Sequence, residues 1–320
     1  MNESSRKAIL LMMLAGILLA GCRPVPAAQT GGQLEGTITI SGAWALYPMM
    51  ISWGEEFQKA NPGVQFDISA GGAGKGMSDA LSGAVDIGMV SRDIALEEEA
   101  KGAFWVAVTK DAVFPTINAQ NPVAADLLKS GVSREMFVGI YMKGDVSTWG
   151  QVLGRADVTD EIHVYTRSDS CGAAETWAKY LDGKQEDLLG IGVYGDPGLL
   201  DAVVKDPLGM GFNNLNYVFD AETGLPVQGA VVLPIDANGD GRVDADELLE
   251  TKADAVQAVA SGTYPSPPAR ALNLVTQGKP SGLVHAFMLW ILADGQKYVD
   301  EVGYIELLPE QIQQGRDKLE

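Results

Sequence analysis

Arg167 comes straight off an apolar run and opens the stretch Arg167-Ser168-Asp169-Ser170-Cys171-Gly172-Ala173, after which the pattern reads as a helix. A guanidinium beside a helix start is suited to gripping an anion. The fork of N–H donors matches an oxyanion, and the first amides of a helix are unpaired and carry partial positive charge. Three other short segments follow strands in the same way, "SGAWALYP" (41–48), "AGGAGKG" (70–76) and "SRD" (91–93); of the four, three lead into helices, two carry an arginine and one carries Lys75. The candidate ligand-binding residues are therefore Ala45, Leu46 and Tyr47; Gly72, Ala73, Gly74 and Lys75; Ser91, Arg92 and Asp93; and Arg167, Asp169, Cys171, Gly172 and Ala173. The glycine segment is not a nucleotide P-loop, because Gly74-Lys75 is followed by Gly76 and not by Ser or Thr. Cys171 has two readings: a small apolar filler, or a thiol whose pKa is lowered by Arg167 and the helix start.

A second pattern points to a metal. "DANGDGRVDADE" (236–247) fits the EF-hand loop template, with Asp236, Asn238, Asp240 and Asp244 at alternate positions, Arg242 offering its carbonyl, and Glu247 closing the loop. Gly241 stands where the template turns sharply. A structural Ca²⁺ ion is the expected cofactor. The preceding "AVVLPI" reads as extended chain and the following "ELLETKADAVQAVA" as helix, so this is half of an EF-hand.

The elements that must carry these turns alternate. "TITIS" (37–41), "VQFDIS" (64–69) and "AVDIGMV" (84–90) read as strands. A helix over 46–60 carries Met49, Trp53 and Phe57 on one stripe and a Glu55–Lys59 pair, and a second helix runs from the glycine turn to Ser82. This βαβαβ order predicts a parallel sheet flanked by helices, with ligands beyond the C-terminal strand ends, where all four turns fall. "EIHVYT" (161–166) and a helix over 173–182 resume the pattern, and Ser281 is expected to cap a long helix over 282–299.

Residues 1–21 read as a leader. Arg6 and Lys7 precede the apolar run 8–20, too short for a comfortable membrane span, and "LAGC" (19–22) resembles the bacterial lipoprotein signal, which implies cleavage before Cys22 and a lipid on its thiol. Residues 22–35 read as a flexible, lipid-anchored tether. With Cys22 lipidated, Cys171 has no partner for a disulfide. The formal charge is −19, and loss of the leader removes one net positive charge. Such a chain repels nucleic acid, so an anion site must be a local exception to the global field.

"SGAWALYPMMISWGEEFQKANPGVQFDI", "AVDIGMVSRD", "STWGQVLG" (147–154), "RSDSCGAAETW", "GMGFNNLNYV" (209–218), "YPSPPARALNLVTQGKP" (264–280) and "FMLWILADGQKYVDEVGYIEL" (287–307) together resemble the phosphate-binding proteins of ABC phosphate transporters. The resemblance implies an α/β, two-lobed periplasmic-binding-protein fold of type II character, each lobe a mixed sheet flanked by helices. It implies lobe I over 36–118 plus 265–320 and lobe II over 119–264, joined near Thr116–Pro122 and Tyr264–Pro268 and closing by hinge motion. The function implied is capture of a tetrahedral oxyanion, phosphate first, by an extracytoplasmic monomer that hands it to an ABC permease.

The family's arginine matches Arg167. Where the family places hydroxyls, this chain has Leu46, Ala73, Cys171 and Ala173, and each lost donor to an anion costs about 1.5–3 kcal/mol unless replaced. Lys75 and Arg92 are the candidate replacements. Asp93 or Asp169 can accept the proton of hydrogen phosphate, whereas fully ionised sulfate has none to give. The alternatives are another oxyanion, a phosphate-sensing or adhesive surface lipoprotein, or a Ca²⁺-dependent hydrolase with Cys171 as its candidate nucleophile.

Overall fold

Eleven strands organise the described part of the chain: β1 (Glu35–Gly42), β2 (Gly63–Ala70), β3 (Ile87–Val90), β4 (Ala103–Asn118), β5 (Val132–Ser133), β6 (His163–Arg167), β7 (Ile191–Val193), β8 (Gly209–Asn214), β9 (Ala230–Val232), β10 (Ile235–Asp236) and β11 (Ala269–Gln277). The computed structural model describes residues 34–320. The expected leader, Cys22 and the tether up to residue 33 lie outside the described residues. Glu35–Glu320 form one compact unit.

The βαβαβ start is as the alternation predicts. β1 pairs in parallel with β2 on one side and β3 on the other. The helix Tyr47–Ala60 crosses between β1 and β2, burying Met49, Trp53 and Phe57. Full burial of such side chains is worth about 1.5–3 kcal/mol each. Phe57 packs edge-on against Phe287 (5.0 Å) and Trp290 (5.3 Å), which come from the far end of the sequence. Lys59 pairs with Glu56 at 2.6 Å and not with Glu55, because Glu56 also takes the Tyr298 hydroxyl and is held on that side.

β4 ties the sheet together. The strand order is β2-β1-β3-β11-β4-β8-β6-β7, with β9 added on β4. Ala103–Ala112 pair antiparallel with β11, and Val113–Ile117 pair antiparallel with β8. One strand thus serves two half-sheets, and it changes partner between Ala112 and Val113. The first half-sheet packs on the Trp53–Phe57–Phe287 core. The second packs on Phe114, Phe137, Tyr141, Trp149, Trp177 and Phe212, all buried. This is a mixed α/β architecture, as expected, built as one nine-stranded sheet whose two halves share β4.

Two helix expectations need correction. The pattern over 282–299 is not one helix: it runs Gly282–Ile291, breaks, and resumes over Lys297–Glu301. The break is set by tertiary contacts, since Trp53 donates to the Gly295 carbonyl at 2.8 Å and Gln296 donates to the carbonyls of Ile291 and Val108. Ser281 makes no side-chain cap. After the acidic loop, the helix starts only at Lys252, where Thr251 and Asp254 form a capping box.

Candidate functional site

The four turns meet. Gly71 and Gly72 donate to the Gly42 carbonyl (2.8 and 3.1 Å), and Gly74 donates to the Ser170 carbonyl (3.2 Å). Two glycines make this approach feasible. Gly72 has φ +88°, and a β-carbon there would lie 2.5 Å from the Ser170 carbonyl oxygen. One on Gly172 would lie 2.2 Å from the Ser91 carbonyl oxygen. A side chain at either place would push the turns apart.

Arg167 lies at this meeting point with its side chain wholly buried. Its Nε and Nη2 donate to the two oxygens of Asp169 at 2.8 and 2.7 Å, and its Nη1 donates to Asp196 at 2.6 Å. Burial opposes its charge, but the carboxylates of Asp196 and Asp169 outweigh that and hold it firmly protonated. Asp196 is buried at the start of the helix Gly195–Lys205, and its other oxygen accepts from Asn214 at 2.5 Å. Asn214 in turn accepts from Arg270, whose Nη2 also lies 3.4 Å from Asp111. Arg270 reaches the Gly172 carbonyl through Nη1 at 3.4 Å, while its Nε is buried without a partner.

This chain of charges sits where β4 changes partner. Asp111 is opposite Arg270 in the β4–β11 ladder, and Asn214 is opposite Val113 in the β4–β8 ladder. Burial pushes the Asp111 carboxyl up to about 7, against the pull of Arg270. Burial also pulls the Arg270 guanidinium down.

The other expected residues are placed as follows. Ala45 and Leu46 lie buried in a short turn before the helix Tyr47–Ala60, and the Ala45 carbonyl accepts the Tyr304 hydroxyl at 2.7 Å. Ala73 and Gly74 open the helix Ala73–Ser82, and Lys75, on its first turn, pairs with Asp79. Ser91 is buried against Gly172. Arg92 is held by both oxygens of Glu98 (2.8 and 2.7 Å) and by Glu175 (3.0 Å). Asp93 is exposed and pairs with Lys179 at 2.6 Å. Both cations named as replacements for the missing hydroxyls are therefore engaged by carboxylates of this chain. Arg92 and Arg270 share a surface cleft of about 320 Å³ with Glu175 and Lys179.

Cys171 caps the helix Gly172–Tyr180, its Sγ accepting from the Ala174 amide at 3.3 Å. Burial pushes its thiol up to about 12, although Arg167 pulls the other way. The activated-thiolate reading fails: desolvation outweighs the guanidinium, and the filler reading stands. Ala173 is buried beside it.

Sequence reading missed Asp196, Asn214, Arg270 and Asp111. One signal was available for Asp196: "IGVYGDPGLL" (191–200) is a further strand–turn–helix with a glycine turn, like the one at 70–76. Arg270 had only its place at the head of an apolar strand after two prolines.

The acidic loop is folded on itself. Asp236 accepts from Gly239 (2.7 Å) and Gly241 (3.0 Å), and Glu247 accepts from Ala237 (2.9 Å) and Asp244 (3.0 Å), closing the ring. Asn238 donates to Asp244 at 2.9 Å, and Asp240 accepts from Arg242 at 2.9 Å. Gly241 takes φ +74°. Among the described residues, no three His, Cys, Asp or Glu side chains are gathered as a metal would gather them.

A family model described as a PBP superfamily domain matches residues 27–295. The phosphate-binding protein PstS of Bacillus subtilis is 28% identical over 275 residues, which is 85% of this chain and 81% of that protein. Protein SphX of Synechococcus elongatus is 25% identical over 320 residues, 96% of this chain and 87% of that one. Among solved structures, a phosphate ABC transporter substrate-binding protein of Clostridium perfringens with bound phosphate aligns with a TM-score of 0.70 at 22% identity, covering 85% of this chain and 100% of that one. An ABC-type phosphate transport receptor from Vibrio cholerae aligns at 0.61 and 20% identity, covering 84% and 100%. At these identities the two structural likenesses are likenesses of fold.

Proposed function

The chain belongs to the PBP superfamily, and from that premise we propose that it is the extracytoplasmic receptor of an ABC importer, capturing phosphate between its two half-sheets. The observation that carries this reading is Arg167, a wholly buried arginine where four turns converge, three of them containing glycine. The names of the relatives point to the same ligand class. The amides at the starts of the helices Ala73–Ser82 and Gly172–Tyr180, with Arg167 and the unpartnered Arg270 Nε, form the proposed anion cradle. Closure about β4 would bring the two sides onto the anion, and an ABC permease would receive it. Turnover is not part of this reading: the buried, un-ionised Cys171 thiol is a poor nucleophile.

The reading extends to the anchor and the loop. Cys22 carries the lipid that holds a monomeric receptor at a bacterial membrane, and replacing it with serine should move the protein from the membrane to the soluble fraction. The 236–247 loop is a structural Ca²⁺ site, with Asp236, Asn238, Asp240, the Arg242 carbonyl, Asp244 and Glu247 as donors. Their oxygen chemistry and the loop's ring closure support it, although the carboxylates are turned onto the loop's own amides.

Calorimetric titration of the full-length chain in detergent with inorganic phosphate is the direct test. Saturable binding that Arg167→Ala abolishes is the expected result. Absence of heat from phosphate in folded wild-type protein would overturn the phosphate assignment.

A further inference from the structure

We propose that Glu175 and Lys179 are positioning residues that clasp Arg92 and Asp93 across the two half-sheets, hold the closed form, and so set how fast the anion is released and how release responds to ionic strength. This inference rests on the phosphate reading above and adds to it a control of release by charges on the rim of the cleft.

Matched charges on opposite halves carry it. Arg92 and Asp93 lie in the turn after β3, in the first half-sheet. Glu175 and Lys179 lie one helical turn apart on the helix Gly172–Tyr180, which follows β6 in the second. Arg92 Nε is 3.0 Å from Glu175, and Lys179 Nζ is 2.6 Å from Asp93. Adjacent residues of opposite sign on one half thus meet residues of opposite sign at i and i+4 on the other. A slip of one helical turn would set Lys179 against Arg92, so the order of charges admits one alignment of the halves.

The turn that carries Arg92 is held in place from its own side. Both oxygens of Glu98 take its guanidinium, its Nη1 also donates to the Asp93 carbonyl at 2.9 Å, and Asn273 Nδ2 donates to the Arg92 carbonyl at 3.0 Å. Those bonds lie within the first half-sheet and survive when the halves part. The bonds to Glu175 and Lys179 do not, so their free energy falls wholly on the closed form. Arg270 lines the same cleft, but its guanidinium is committed to Asn214, Asp111 and the Gly172 carbonyl and does not compete for Glu175. The two pairs differ in weight. Lys179 and Asp93 are 61 and 84% exposed, so salt screens them readily. Arg92 is only 14% exposed, so its pair with Glu175 keeps more of its strength.

The test is the rate at which radiolabelled inorganic phosphate leaves the full-length chain in detergent after rapid dilution, at low salt and at about 1 M sodium chloride. Wild type should release about three- to tenfold faster in high salt. Glu175→Gln with Lys179→Met, which keeps shape and removes both pairs, should be that fast already at low salt and should change less than about twofold with salt. Lys179→Glu should also speed release, and adding Asp93→Lys, which restores the pair with its charges exchanged, should bring the rate back to within about twofold of wild type. A second readout needs no anion: spin labels at Glu310→Cys and Lys143→Cys, one on each half, in a Cys22→Ser background. Loss of both pairs should enlarge the long-distance population. Release that is the same in wild type and in the variant without the pairs, or no recovery with the exchanged charges, overturns the clasp and leaves the phosphate reading standing. Folded wild type that binds no phosphate overturns that reading, and the spin labels then decide the clasp: an unchanged distance distribution overturns it as well.

Discussion

Asp111 and Arg270 stand directly opposite each other across the β4–β11 ladder, with Arg270 Nη2 3.4 Å from Asp111 Oδ2, at the end of the stretch that β4 shares with β11. From Val113 onward β4 pairs with β8 instead. The pair is buried on both sides, so it links the charge of the site to the place where β4 changes partner.

That position gives a pH signature. The folded carboxyl of Asp111 is raised from its ordinary 3.8 to about 7. Between those values the native state binds the proton more firmly than the unfolded chain, so this residue's contribution is full in acid and lost as pH rises through about 7. Urea denaturation of wild type and Asp111→Asn across that range should show their stability difference shifting against the wild type as pH rises, with a slope of at most about 1.4 kcal/mol per pH unit. A difference that stays constant, or that changes in the opposite direction, would show that Arg270 holds Asp111 ionised.

Gly172→Ala should be costly out of proportion to one methyl group. The new carbon would fall 2.2 Å from the Ser91 carbonyl oxygen and 2.3 Å from its hydroxyl. Forced overpacking of this kind costs about 1–3 kcal/mol. A lowered melting temperature together with weaker phosphate binding is expected. A variant as stable and as tight as wild type would mean that the two turns do not approach this closely.

Cys171 should be inert to thiol reagents in the native protein. Its side chain is buried and its thiol is pushed up to about 12. In a Cys22→Ser background, labelling should be slow until denaturant is added. Cys171→Ser should keep the helix cap, whereas Cys171→Ala should lose about 1 kcal/mol. Rapid stoichiometric labelling of folded protein would contradict the burial.

Calcium should raise the melting temperature, and chelator should reverse the rise. At a hundredfold excess over its dissociation constant a single ion stabilises by about 2.7 kcal/mol. Glu247→Gln, which removes the charge that closes the ring, should abolish the shift. Identical melting of the wild type with calcium and with chelator would sink the metal assignment.

Much of the architecture was legible because local chemistry decides it. The alternation in β1, β2 and β3, the Met49–Trp53–Phe57 stripe and the glycines of the turns each act over a few residues, and each produced the expected element. The clustering of the first three turns was legible for the same reason, since β1, β2 and β3 are parallel and their turns emerge at one end; that the turn after β6 meets them was not, because β6 runs the opposite way in the other half-sheet and only the shared strand β4 sets the two ends face to face. The break at Gly295 was not, since a tryptophan more than two hundred positions away takes its carbonyl.

The sequence by itself determined that a buried arginine and helix starts would stand together, because strand, turn and helix signals are short-range. Only the tertiary structure decided which charges each cation meets. Arg92 went to Glu98 and Glu175, Arg167 to Asp196 as well as its neighbour Asp169, and Arg270, far along the chain, to Asp111. Ion pairing acts through space and desolvation, and both depend on which strands lie side by side. No spacing in the sequence records that.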